Sequence, residues 1–202
     1  MRYEEYAKKL ANEYLKSGII DGKRFPDIEL YIDQVAKSLN KELRLYGDGE
    51  KTPITKAMIS NYTKHRMIPG PVGKHYTKDH LIFMALVFYL KECFSMEEIT
   101  RLMKPLLDNY NSDWDEPIDF ASMYAEIIDF VRSTEADLPI RLEQQIRDVK
   151  KFLANRDAAD DDTSELMMLI TTLVMRSNAE RFIAEKLLDE YFEKLKKGGK
   201  KK

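Results

Sequence analysis

Apolar positions recur with a helical period along most of the chain. Tyr3, Tyr6, Ala7, Leu10 and Tyr14 make one stripe, which Gly18 stops. This first segment reads as a docking helix, and IIDGKRFP after it as a connector. Past Pro26, Asp27 is placed to cap a second helix. There Ile28, Ile32, Val35, Ala36, Leu39 and Leu43 repeat at helical spacing before Gly47. YGDGEKTP is a loop of turn formers. Thr55 caps a short helix from Lys56 to about Arg66, with Ala57, Met58, Ile59 and Tyr62 among its inward residues. Pro69, Gly70, Pro71 and Gly73 then force an extended excursion. Tyr76, on its return arm, is expected to be half buried and to tie the ribbon to the helices. Thr77 caps HLIFMALVFYLKE, which is apolar nearly all round and is expected to be the central core helix. Ser95 and Glu98 form a capping box for a helix expected to stop near Pro105.

The second half is also helical in pattern. LLDNYNSDWDEPID, with Trp114, reads as an acidic loop. Phe120 to Val131 carries Met123, Tyr124, Ile127, Ile128 and Val131, and Pro139 to Asn155 carries Ile140, Leu142, Ile146, Val149, Phe152 and Leu153. NRDAADDD is an acidic turn. Asp162 and Glu165 have capping-box spacing before a helical pattern of about 34 residues, roughly 50 Å long, with a weak point at Ser177–Asn178. Met167, Met168 and Met175 are expected to pack in a core, with the lining of a ligand pocket as the alternative use. The expected organisation is a docking helix over residues 1–22, a winged helix-turn-helix domain over 23–108, and a helical dimerisation or sensing region over 109–202.

Composition agrees with an all-α chain. Gly and Pro are sparse at 8 and 7, and 44% hydrophobic residues are enough for a sizeable core. No apolar run reaches the roughly 18 residues of a membrane span, and the charged N-terminus does not read as a secretory leader. One cysteine, Cys93, excludes an internal disulfide. The expected compartment is cytoplasmic.

Charge changes the picture more. The net −2 conceals 9 basic against 4 acidic residues over positions 51–104, followed by 6 against 15 over 105–162. A basic segment in an otherwise acidic chain is the footprint of a polyanion binder. Lys56, Ser60, Asn61, Lys64 and His65 are the polar positions of the short helix. Lys reaches phosphates, Asn can read adenine, and Ser is adaptable. Lys74 and His75 sit on the ribbon, and Lys51 and Lys78 flank it. These nine are the candidate DNA contacts. His65, His75 and His80 lack the partners of a metal site, and Asp160 to Asp162 lack the spacing of a calcium loop. No nucleophile elbow or phosphate loop is present. Neither catalysis nor a cofactor is expected.

Several of these residues also carry a family resemblance. Tyr62 with Met67-Ile68-Pro69, the ribbon Lys74-His75-Tyr76-Thr77, and Phe94-Ser95-Met96-Glu97-Glu98-Ile99 resemble the MerR-like winged-helix regulators. LYIDQVAKSLN and ITKAMISNYTKHRMIPGPVGKHYTKDHL resemble the bacterial family called domain of unknown function 1836, over roughly residues 26 to 107. The resemblance implies a MerR-like winged helix-turn-helix with a short wing, and the helical pattern of the second half adds a C-terminal helical bundle in place of the long coiled coil typical of MerR-like proteins. The resemblance further implies a double-stranded DNA partner, a homodimer and an unspecified effector. Ser60 and His75 stand where MerR-like proteins carry arginines, and Arg66 where they carry the helix-ending glycine. The alternative is therefore a protein–protein interaction module that keeps the fold without binding DNA.

Overall fold

The computed structural model describes residues 2–47, 52–110, 120–154 and 162–192. Among these the chain is mostly helical: α1 (Tyr3–Ser17), α2 (Ile32–Glu42), α3 (Lys56–Lys64), α4 (Lys78–Leu90), α5 (Met96–Tyr110), α6 (Phe120–Glu135), α7 (Leu138–Ala154) and α8 (Asp162–Leu187). Short turns occupy Gly22–Arg24 and Arg44–Tyr46, and a π-type turn follows α8 at Leu188–Phe192. No strand forms among the described residues, only two isolated antiparallel bridges. Lys51, Trp114, Asp160, Asp161 and the basic tail lie outside the described residues. No described helix is long and apolar enough to cross a membrane.

The chain divides into two compact units, Ser17–Ser133 and Met1–Lys16 with Thr134–Lys202. The first is built on α4, as its apolar pattern predicts. Leu81, Ile82, Phe83, Met84, Ala85, Val87 and Phe88 are all buried. The connector before α2 lies against this helix so closely that a side chain on Gly22 would meet Ile82 at 3.1 Å. A buried connector needs partners for its backbone polar groups. Tyrosine hydroxyls from three directions supply them. Tyr46 and Tyr89 donate to the Gly18 carbonyl (2.7 and 2.8 Å), Tyr89 accepts from the Ile20 amide (2.7 Å), and Tyr124 donates to the Ile20 carbonyl (3.0 Å). Phe120 stacks on Phe83 with centroids 3.7 Å apart, so α6 through Ser133 belongs to this unit.

Three expectations for this unit are corrected. Asp27 does not cap α2. Leu30 pairs in an antiparallel bridge with Tyr76, and Tyr31 is extended as the N-cap, so the helix starts only after it. The Tyr31 amide donates to the Gln34 side chain at 2.8 Å instead. Secondly, α5 does not stop at Pro105. The buried row Ile99, Met103, Leu107 continues across it, and the helix runs to Tyr110. Ala57, thirdly, is exposed on α3, where only Ile59 and Tyr62 are buried.

The second unit contains most of α1, with α7 and α8. α7 buries Ile146, Val149 and Leu153, while Ile140 and Phe152 face solvent. The only buried residue of α1 is Ala11, with Tyr6 and Leu10 outside. A charged cluster joins the three helices. Lys150 donates to Glu4 at 2.6 Å and lies 3.5 Å from Glu165, and Glu165 accepts the Tyr3 hydroxyl at 2.6 Å. Glu165 therefore serves this cluster rather than the expected capping box with Asp162. α8 passes Ser177–Asn178 without a break. Met167 and Met175 are 66% and 64% exposed, so neither packs in a core or lines a buried cavity.

The cluster gives stability a pH dependence. The Lys150 hydrogen bond holds the Glu4 carboxyl below its ordinary range. In the other unit burial would raise Asp21, but the Lys23 amide and the Arg132 guanidinium (3.0 Å) outweigh it and lower its pKa. A lowered folded-state pKa stabilises above the unfolded value, and that stability is lost as pH falls through the folded one. Both units are therefore expected to lose stability as pH falls below about 4. In acid titrations followed by circular dichroism, Lys150→Met should make the acid loss shallower. An unchanged slope would refute the assignment to Glu4.

Candidate nucleic-acid interface

α3 owes its position to two local devices. Asn40 on α2 exchanges both amide groups with Ile54 (Nδ2 to the carbonyl, 2.7 Å; backbone N–H to Oδ1, 2.9 Å). The loop end is thereby pinned next to Thr55, whose hydroxyl accepts from the Met58 amide at 3.2 Å as the sequence predicts. At the other end the Met67 amide bonds to the Tyr62 carbonyl and the Arg66 amide to the Thr63 carbonyl. That is a Schellman motif, and it puts Arg66 at φ +54°.

Next comes the ribbon. Val72 and His75 exchange both backbone bonds (3.0 and 3.1 Å) around Gly73 at φ +64°. A positive φ at the first central position is the pattern for which a tight hairpin selects glycine. The ribbon is one bridge pair long. Tyr76, buried at 6% exposure, pairs with Leu30 and so ties it to the helical body, more deeply than the half burial expected.

The nine candidate contacts separate into groups. Ser60, Asn61 and Lys64 come together on the exposed face of α3, where they line an open groove of about 540 Å³ with Ala57 and Met58. Asn61 also points its amide at the Met96 sulfur, 3.8 Å away. Lys56 is exposed but engaged, with its ammonium 2.7 Å from Asp33. His65 lies at the end of α3 and lines a second groove, to which α5 contributes Thr100, Arg101 and Lys104. His75 packs tilted against Tyr31 (4.6 Å between centroids, 50° between planes) and lies 3.8 Å from Glu29. Lys74 is fully on the surface, and Lys78 is half-buried in the first turn of α4. Lys64, Lys74 and Lys78 hold no ion pair among the described residues. Lys51 falls outside them.

Three residues outside the candidate set shape the site. Arg101 and Lys104 bring basic groups from α5 to the His65 groove; their i, i+3 spacing after the Ser95 capping box was the available signal. His80, buried at 1% exposure, accepts the Thr77 amide at Nδ1 (3.1 Å) and meets the Gly70 carbonyl through Nε2 (2.9 Å). A backbone N–H can only donate and a carbonyl can only accept, so the ring is neutral with its proton on Nε2.

The chain matches the family model described as Domain of unknown function (DUF1836) over residues 20–127. It belongs to this family. The DUF1836 region thus includes the buried connector, α2 to α5 and the first half of α6, which is nearly the whole of the Ser17–Ser133 unit. No curated protein and no solved structure matches the chain.

Inside the DUF1836 region one buried group has no evident structural use. The Tyr62 hydroxyl makes no hydrogen bond among the described residues, and burial, followed by the charge of Glu92, pushes its pKa up to about 12. An unsatisfied buried hydroxyl costs free energy that its removal returns. Tyr62→Phe is expected to leave stability unchanged or raise it by up to about 1 kcal/mol. A loss greater than that in denaturant titration would reveal a partner for the hydroxyl.

Proposed function

We propose that this chain is a cytoplasmic, non-enzymatic DNA-binding regulator of MerR-like type. In this reading α3 enters the major groove, and the 72–75 hairpin is a short wing along the phosphate backbone. Two copies act together, each half-site contributing avidity. The observation that carries it is the exposed row Ser60, Asn61 and Lys64 on α3, together with three lysines that no carboxylate neutralises among the described residues. Cations engaged by the protein itself gain less from a phosphate than free ones. Lys64, Lys74 and Lys78 are therefore the principal electrostatic contacts, with Asn61 and Ser60 reading bases. Lys56 and His75 are secondary, because Asp33 and Glu29 compete for them.

Binding to genomic duplex fragments, measured at two salt concentrations, tests this. Affinity is expected to fall steeply with salt, and Lys64→Ala with Lys74→Ala should reduce the logarithmic salt slope by about 2, roughly one per phosphate contact. Salt-insensitive or undetectable binding would refute it. The rival reading, a partner-binding module that retains the fold, draws on the same two engaged residues. A wild-type chain that captures no duplex while Lys64→Ala leaves all its properties unchanged would favour that reading.

A further inference from the structure

We infer that the cleft between the end of α3 and α5 is a binding site for a small organic anion with an apolar body. The cleft holds about 480 Å³, within the range of small-molecule pockets. Its walls are the Schellman turn, the Ile68–Gly70 segment and the middle of α5. Ile68 and Leu107, at 2% and 7% exposure, and buried Pro69 supply an apolar floor. Arg66 and Lys104 supply positive charge at its edge, with Asp108 3.1 Å from Lys104. That pair is exposed on both sides, so it leaves the ammonium open to a better-placed anion.

Arg66 is the decisive residue. It occupies the one non-glycine position with positive φ among the described residues. A glycine there would be unstrained, whereas a side chain at φ +54° carries a backbone cost. Its guanidinium returns nothing to the fold, since it has no hydrogen bond or ion pair among the described residues. A planar fork of donors beside an apolar floor is the arrangement that recognises a carboxylate or phosphate oxygen pair on an apolar body. The site stands apart from the DNA reading, since neither its geometry nor its test depends on duplex binding.

The test uses the full chain with benzoate, hexanoate, acetate, phenyl phosphate and inorganic phosphate as probes, read by calorimetry and thermal unfolding. Benzoate, hexanoate or phenyl phosphate should bind at least about tenfold more tightly than acetate and inorganic phosphate, because only the former bury apolar surface. At about tenfold over its Kd, such a probe should raise Tm by about 3–6 °C. The variant Arg66→Gly should raise the ligand-free Tm by about 2–4 °C while weakening binding at least about tenfold. Arg66→Lys, which keeps the charge and loses the fork, should weaken binding without that rise. Carboxylates binding where phosphates do not, or the reverse, assigns the head group. The inference is overturned if no probe binds at about 10 mM, if Arg66→Gly binds as tightly as wild type, or if Arg66→Gly lowers the ligand-free Tm.

Discussion

Replacing His80 with leucine is expected to destabilise the Ser17–Ser133 unit by about 1–3 kcal/mol. Leucine fills a similar volume, so the loss does not come from a cavity. It comes from two backbone groups, the Thr77 amide and the Gly70 carbonyl, which the imidazole satisfies from its two nitrogens. The imidazole is buried, but Thr77 is half-buried and Gly70 exposed, so orphaning both groups costs about 1–3 kcal/mol in all rather than that much for each. The two bonds also connect different elements. One caps α4, and the other holds the turn that carries the chain from α3 to the 72–75 hairpin. His80→Asn, which can place an amide oxygen near the Nδ1 position, should recover part of the loss by restoring the Thr77 cap alone. Denaturant unfolding of the three proteins decides it. A loss below about 1 kcal/mol for His80→Leu would mean that water reaches Gly70 and Thr77.

His80 also shows where the sequence stops being legible. Its position in an apolar helix is evident from pattern. Its role is not, because the acceptor it meets lies ten residues away across a turn whose path no periodicity gives. The same division holds elsewhere. Thr55, Thr77 and the Ser95–Glu98 pair could be read as caps because a cap and its helix are neighbours in sequence. Asp27 looked equally good, yet the Leu30–Tyr76 bridge, a contact across 46 positions, overrode it. Pro105 is a strong local stop signal, and the buried row from Ile99 to Leu107 outweighs it. For the candidate interface, the polar face of α3 follows from the helical period. The engagement of Lys56 by Asp33 and of His75 by Tyr31 and Glu29 does not, since all three partners come from the segment around the start of α2. Arg66 is the intermediate case. The sequence places it at a helix end where glycine is easier, and φ +54° shows that the strain is real.

The second large effect is expected on α8, where Ile170→Asp should convert a self-associating chain into a monomer. α8 meets α7 along one side only, through buried Leu169 and a 2.8 Å bond from Gln145 to Thr172. The rest of its surface is apolar to a degree that water does not favour. Met167, Ile170, Val174, Met175, Phe182 and Ile183 are each more than half exposed. Leu166, Leu173 and Leu187 are also partly exposed, and with Ile170 they lie along one side of the helix. Leu166, Ile170, Leu173, Ala184 and Leu187 fall on the alternating four- and three-residue spacing of a helix-pairing seam, interrupted at Ser177 and Glu180. A second α8 satisfies this surface most simply, because an isologous pairing matches each apolar position with its own kind. Such a pairing would supply the dimer that the DNA reading requires. An aspartate at Ile170 would bury a carboxylate in the seam, with an expected weakening of association of about 30-fold or more. Ile170 is solvent-exposed in the protomer, so the same change should move protomer stability by no more than about 0.5 kcal/mol. Sedimentation of wild type and variant separates the two quantities. A wild-type chain that remains monomeric at about 100 μM would remove α8 as a self-pairing surface and leave its apolar face to a different protein.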